Sequence, residues 1–199
     1  LGMNEMILRE SESREVVQYA KSVEKAGNYL LSLINNILDI TRIESKKLDI
    51  IEEKFSLRQL VQEVCLIGAK QAEAKNLEFV VDVEETLPKY LEGDALHIKQ
   101  VILNLINNAV KYTKKGKVFL EVCQEEKQIS FSVKDTGIGI KKEDMEALFD
   151  MFMRADIKRH RNIEGSGLGL TIAKELCEQM GGHIQAESIY GKGSNFTVY

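Results

Sequence analysis

"KVFLEVCQEEKQISFSVKDTGIGI", residues 117–140, contains two stretches in which apolar and polar residues alternate, KVFLEVC and QISFSVK, with four residues between them. Period-two alternation marks a strand with one buried face, and so short a connection makes the pair a hairpin. The second strand runs into DTGIGI, which sets one carboxylate, Asp135, between a strand and two glycines. Such a segment suits a tight turn after an edge strand, a metal ligand, a general base or an acceptor for a neutral group. What else shares its pocket decides among them.

Outward from this hairpin, LEFVVDV (77–83) reads as another strand, and the turn around Gly116 leads into the hairpin itself. HIQAES (183–188) and SNFTV (194–198) flank Gly191-Lys192-Gly193 as a second hairpin, and Ile51 and Phe55 belong to a short strand. Helical segments lie between. Ser56 to Gln59 is a capping-box pattern opening a helix to about Lys75, and Asp94 caps a helix through Tyr112. A short helix covers 142–149, and another runs from Leu168 to Met180 and stops at Gly181-Gly182. Interleaved helices with adjacent strand pairs predict an α/β (α+β) two-layer sandwich, a mixed sheet covered by helices on one face, rather than a doubly wound parallel sheet.

Residues 13–45 follow a different period. Val16, Tyr19, Val23, Ala26, Leu30, Leu33, Ile37 and Ile40 recur in alternating steps of three and four, a heptad seam that Leu31, Ile34 and Leu38 widen toward a bundle face. Ser11 or Ser13 caps this helix, and residues 1–10 read as the tail of a helix ahead of it. The 199 residues are 44% hydrophobic, enough for a core, and the net charge of −4 argues against a general nucleic-acid binder. No run approaches the roughly 20 apolar residues that span a bilayer. Cys65, Cys123 and Cys177 are widely spaced and flanked by apolar residues, which suggests buried thiols in a reducing compartment rather than zinc ligands.

On the helix 94–112, with Asn104 at zero, Asn108 falls at about 40° and Lys111 at about −20°, while Ile98, Ile102, Leu105, Ile106 and Ala109 centre on the far side. The bland alternative is a solvated face. Such faces are usually rich in Lys and Glu, whereas this one carries helix-disfavouring asparagines. An amide oxygen can ligate Mg²⁺ and a lysine can meet phosphate. GSGLGL (165–170) opens a helix with three glycines, which allow close backbone approach to an anion at the helix start. It is neither a Walker pattern nor a dinucleotide fingerprint. Residues 149–164 form a long polar stretch carrying Arg154, Lys158, Arg159, His160 and Arg161, which suits a lid over phosphate.

The order and spacing of NLINNAVKYT, DTGIGI, LFDMF and GSGLGL resemble the nucleotide-binding domain of bacterial sensor histidine kinases. These kinases share a superfamily with type II topoisomerases, Hsp90 chaperones and MutL proteins. The resemblance implies the Bergerat-type ATP-binding fold over residues 46–199. It implies ATP and Mg²⁺ as cofactors, with Asn104, Asn108, Lys111 and Tyr112 as the N box and Asn108 holding the metal. Asp135, Gly137, Ile138 and Gly139 would bind nucleotide from the first glycine box, Asp135 accepting from the exocyclic amine of adenine. Phe149 and Phe152 would form the F box. Gly165, Ser166, Gly167, Leu168, Gly169 and Leu170 would contribute the second glycine box, and Arg154 a lid contact. Asn104 and Lys111 would be catalytic. ATP-hydrolysing relatives place a water-activating glutamate where this chain has Asn104, which cannot serve as a base.

By the same resemblance, residues 1–45 are part of a dimerisation and phosphoacceptor hairpin preceding that domain, with its first helix truncated and the phosphoacceptor histidine absent. None of His97, His160 or His183 has the phosphoacceptor context. His97 stands where the family often has arginine. The implied function is transfer of the ATP γ-phosphoryl group to that histidine and onward to a response-regulator receiver domain. The implied setting is a cytoplasmic homodimer with no nucleic acid and no membrane contact from this segment. The rival readings are an ATP-hydrolysing conformational switch and a degenerate dimerisation module.

Overall fold

The structure, a computed structural model, describes residues 2–45, 49–126, 128–151 and 167–199. The described residues before position 48 form one compact unit and those after it a second.

In the first unit, α1 (Gly2–Glu10) is followed by α2 (Arg14–Glu44). Ser13 caps α2 by accepting the Val16 N–H at 3.5 Å, and Glu15 lies in the first turn, where unpaired amides favour negative charge. Asn4 Nδ2 donates to the carbonyl of Ala20 at 2.8 Å, and Ala20 is buried. Much of the heptad stripe stays uncovered within this single chain: Val16, Tyr19, Val23, Leu30, Ile34 and Ile37 are all exposed.

The second unit runs β1 (Glu53–Ser56), α3 (Leu57–Glu73), β2 (Glu78–Val83), β3 (Tyr90–Gly93), α4 (Ala95–Tyr112), β4 (Lys117–Glu125), β5 (Gln128–Asp135), α5 (Lys142–Met145), α6 (Gly169–Gln179), β6 (Ile184–Ile189) and β7 (Gly193–Val198). Five strands form one sheet in the order β2-β4-β5-β7-β6. The β2–β4 pair is parallel and the others antiparallel, so the sheet is mixed and both expected hairpins are present. On β4, Val118, Leu120 and Val122 are buried while Glu121 between them is exposed. On β5 the same parity buries Phe131 and Val133 and, one step on, Asp135. The carboxylate is therefore carried to the helix-covered side of the sheet by strand alternation alone. Val64 of α3, Ile102, Leu105 and Ile106 of α4, and Ile172 and Leu176 of α6 complete the core.

Three local details depart from the sequence expectation. Ile51 lies outside β1, whose partner β3 has no alternating pattern to betray it; Phe55 sits opposite Leu91 in that two-stranded ribbon. The capping box of α3 is half made. Ser56 Oγ accepts from Gln59 N at 3.3 Å, but Gln59 Nε2 turns to Glu63 Oε1 at 3.1 Å instead of reaching back. The helix expected over 142–149 is regular only to Met145, beyond which Leu148 and Asp150 donate to carbonyls three residues back.

Candidate functional site

The C-terminal half of α4 is the axis of the site. Asn104 and Asn108 are half-buried one helical turn apart, and Asn104 Nδ2 donates to the carbonyl of Gly169, the first residue of α6, at 3.3 Å. The polar stripe of α4 thus meets the start of the glycine-opened helix. The N-cap residue of α6 is Leu168, which is fully buried and offers no side-chain oxygen of its own to the amides of the first turn. Gly167 adopts φ +76 immediately before it. Thr171 Oγ1 donates to the carbonyl of Phe149 at 2.9 Å, which ties α6 to the start of the F-box segment. Leu170 is half-buried. Phe152, Arg154, Lys158, Arg159, His160, Arg161, Gly165 and Ser166 lie outside the described residues.

At the end of α4, the Lys111 ammonium stands 4.7 Å from the centre of the Tyr112 ring. The last carbonyls of the helix are capped from outside. Lys75 Nζ donates to Val110 O at 2.9 Å and to Lys111 O at 3.0 Å. Burial and the nearby Lys111 charge pull Lys75 below the usual lysine range.

The loop after β5 is fixed on three sides. Ile138 N donates to Tyr112 O at 3.3 Å, Thr136 N to Lys117 O at 3.1 Å, and Gly191 N to Ile138 O at 2.7 Å. Ile140 N adds a bond to Ser188 Oγ at 2.7 Å. Just before it, at the end of β5, Asp135 is buried and its Oδ1 accepts from Gly137 N at 2.7 Å. Burial pushes the Asp135 carboxyl above the usual range, while the amides of Gly137 and Ser194 and the Thr113 hydroxyl hold it back. The two glycines serve different needs. A Cβ on Gly137 would stand 2.5 Å from Tyr112 O and 2.7 Å from Asp135 Oδ1, whereas one on Gly139, at φ +65, would stand 2.2 Å from Ile189 O.

Sequence reasoning included Thr113 in the NLINNAVKYT motif but gave it no role; its hydroxyl is buried close to Asp135, and its place directly after KY at the helix end was the available signal. It also missed Lys75, whose bonds to α4 span more than thirty residues and leave no local trace. His97 pairs with the helix-capping Asp94, Nδ1 to Oδ2 at 2.7 Å, and the same Oδ2 accepts from Ile51 N at 3.0 Å. Burial opposes ionisation of Asp94, but the His97 and Ile51 amides and the His97 ring outweigh it and hold the carboxyl below the usual range.

This sheet, this helix cover and this site define a class. The family model of histidine kinase-, DNA gyrase B- and HSP90-like ATPases matches residues 93–199, and the chain belongs to that family. Among curated proteins it is similar to the sensor histidine kinase GacS of Pseudomonas protegens, 39% identical over 203 residues, covering 100% of this chain and 22% of GacS. It is also similar to the autoinducer 2 sensor kinase/phosphatase LuxQ of Vibrio cholerae, 34% identical over 202 residues, covering 100% of this chain and 24% of LuxQ. The chain spans about a fifth to a quarter of the length of these relatives. Among solved structures, full-length ShkA in complex with AMPPNP is similar with TM-score 0.83 at 28% identity, over 100% of this chain and 41% of that one. The catalytic domain of histidine kinase ThkA matches 74% of this chain and 93% of its own with TM-score 0.62 at 27% identity. The second unit is an ATP-binding catalytic core of the histidine kinase type.

Proposed function

We propose that this core holds ATP with its adenine amine against Asp135 and its phosphates between α4 and the start of α6, and presents the γ-phosphoryl group to a histidine other than His97, His160 or His183. The observation that carries the reading is the double tie on α4. Asn104 bonds to Gly169 O, and Tyr112 O accepts from Ile138 N, so the helix carrying both asparagines touches both glycine-rich segments.

Each side chain then has a task. Asp135, an acceptor when ionised, takes a hydrogen bond from adenine's amine and repels the oxygen that guanine carries there. Among the described residues no group of three or more His, Cys, Asp or Glu side chains comes together to hold a divalent cation. The amide of Asn108 fits Mg²⁺ that completes its shell with phosphate and water oxygens, and when bound the ion offsets charge on the transferring group. Lys111 adds a cation on the same stripe, and the first-turn amides of α6 face anionic oxygens. Asn104 spends its N–H on Gly169 and is no base, which favours transfer to an outside nucleophile over hydrolysis.

His97 and His183 have other occupations. The first is bonded to Asp94 and the second stacks on Tyr199 with ring centres 4.5 Å apart. The exposed apolar stripe of α2 supports a homodimer through a helical bundle, and the similarity to two-component kinases supports a response-regulator receiver domain as the onward acceptor. We take residues 1–45 as part of the dimerisation segment and 46–199 as the catalytic domain. No helix among the described residues is long and apolar enough to cross a membrane. The test is γ-labelled ATP given to the full-length protein. Acid-labile, base-stable phosphoprotein is expected, lost in Asn108→Ala; steady phosphate release without labelled protein would refute the reading.

A further inference from the structure

Thr113 follows α4, and its backbone N–H donates to Ala109 O at 3.1 Å, so the helix end is satisfied by its main chain. Its side chain is fully buried, yet among the described residues Oγ1 has no hydrogen-bond partner. A buried hydroxyl is normally paired, and one left without a partner marks a place where a partner is acquired or where function overrides packing. What lies beside it is specific. A Cβ built on Gly137 would fall 2.9 Å from Thr113 Oγ1 and 2.7 Å from Asp135 Oδ1, so hydroxyl and carboxylate face a common point that only a glycine leaves clear. The hydroxyl already helps restrain the upward push of burial on Asp135, although its geometry falls short of a full hydrogen bond. Ser194 N and Gly137 N are the other donors to that carboxylate. A valine would fill the same space without an orphaned oxygen, so packing alone does not call for threonine here.

We propose that Thr113 is a specificity-determining positioning residue, whose hydroxyl swings onto Asp135 when a purine enters and orients the carboxylate toward the exocyclic amine. The inference rests on the reading of Asp135 as the adenine acceptor. In this arrangement the Gly137 amide holds Oδ1, the Ser194 amide is a second donor, and the Thr113 hydroxyl fixes the remaining freedom. Discrimination between a purine with a 6-amino group and one without it therefore depends on both residues together.

The experiment is a comparison of ATP with purine riboside triphosphate, which lacks the amine, binding to the full chain and to Thr113→Val, Thr113→Ser, Thr113→Ala and Asp135→Asn. A charge-assisted bond to the amine predicts that the unaltered protein prefers ATP by on the order of tenfold or more. Thr113→Val and Thr113→Ala are expected to cut that preference at least threefold, with Thr113→Ser restoring it, and Thr113→Val is expected to melt no lower than the parent. If both variants keep the full preference while Asp135→Asn abolishes it, the role of Thr113 is overturned and that of Asp135 stands. If the unaltered protein shows no preference, or Asp135→Asn retains it, the reading of Asp135 fails and this inference with it.

Discussion

Gly139→Ala is a sharp test of how the loop after β5 is held. Gly139 is buried and sits at φ +65, and a Cβ there would come within 2.2 Å of Ile189 O, 2.8 Å of Ile189 C and 2.9 Å of Tyr190 Cα. The atoms in the way are backbone, so no rotamer change relieves the contact. The left-handed conformation costs alanine about 1–2 kcal/mol, and forcing a methyl into occupied space adds about 1–3 kcal/mol, for a total of about 2–5 kcal/mol. In a unit of this size that corresponds to a melting shift of about 4–20 °C. Gly181→Ala is the matched control, because Gly181 has φ +81 but nothing within 4 Å of the point where its methyl would stand. It carries the conformational cost alone, about 1–2 kcal/mol. Both variants would be melted by circular dichroism and titrated with ATP. Gly139→Ala is expected to melt well below Gly181→Ala and to lose ATP affinity at least tenfold, since the segment it displaces carries Asp135. Equal melting temperatures would refute the steric argument.

Other outcomes follow from the same geometry. Asp135→Asn removes a charge-assisted acceptor worth about 1.5–3 kcal/mol, so ATP affinity should fall roughly 10- to 150-fold by calorimetry. Because burial raises this carboxyl, the unaltered protein should lose ATP affinity, as pH falls, at a higher pH than an ordinary aspartate would impose, and a flat profile through that range would refute the role. The sign reverses for Asp94. Its folded carboxyl is held low, so its stabilisation is full above the ordinary carboxylate range and disappears as pH falls through the lowered value; Asp94→Ala should destabilise by about 1–3 kcal/mol at neutral pH and lose that deficit in acid. Ile37→Glu puts charge on the exposed stripe of α2 and should shift sedimentation of the full-length protein from dimer to monomer, with ATP binding unchanged.

The strands that alternate and the helices with a two-faced pattern were legible because each pattern is local. β4, β5, α4 and the caps at Ser56 and Asp94 all belong to this group. The polar stripe of Asn104, Asn108 and Lys111 was legible for the same reason, since helical angles follow from spacing. β3 was not, because four residues with one half-buried leucine carry no period and its existence depends on Phe55 far upstream. The close approach of Gly139 to the backbone at Ile189, fifty residues away, was not legible either, because no local pattern records it. The bonds from Lys75 to the end of α4 and from Asp94 to Ile51 join distant positions by single polar contacts, which no window of sequence contains.

The loop that follows Asp135 is moored mainly through main-chain atoms: the carbonyls of Tyr112, Lys117 and Ile138 and the amides of Ile138, Thr136 and Gly191. Its placement is thereby largely indifferent to the side chains at Tyr112, Lys117 and Ile138, whereas Gly137 and Gly139 leave no room for a Cβ. Insertions and deletions have no such licence. Removing one residue from 136–140 would pull these moorings out of register with one another, so this stretch must keep its length as well as its two glycines.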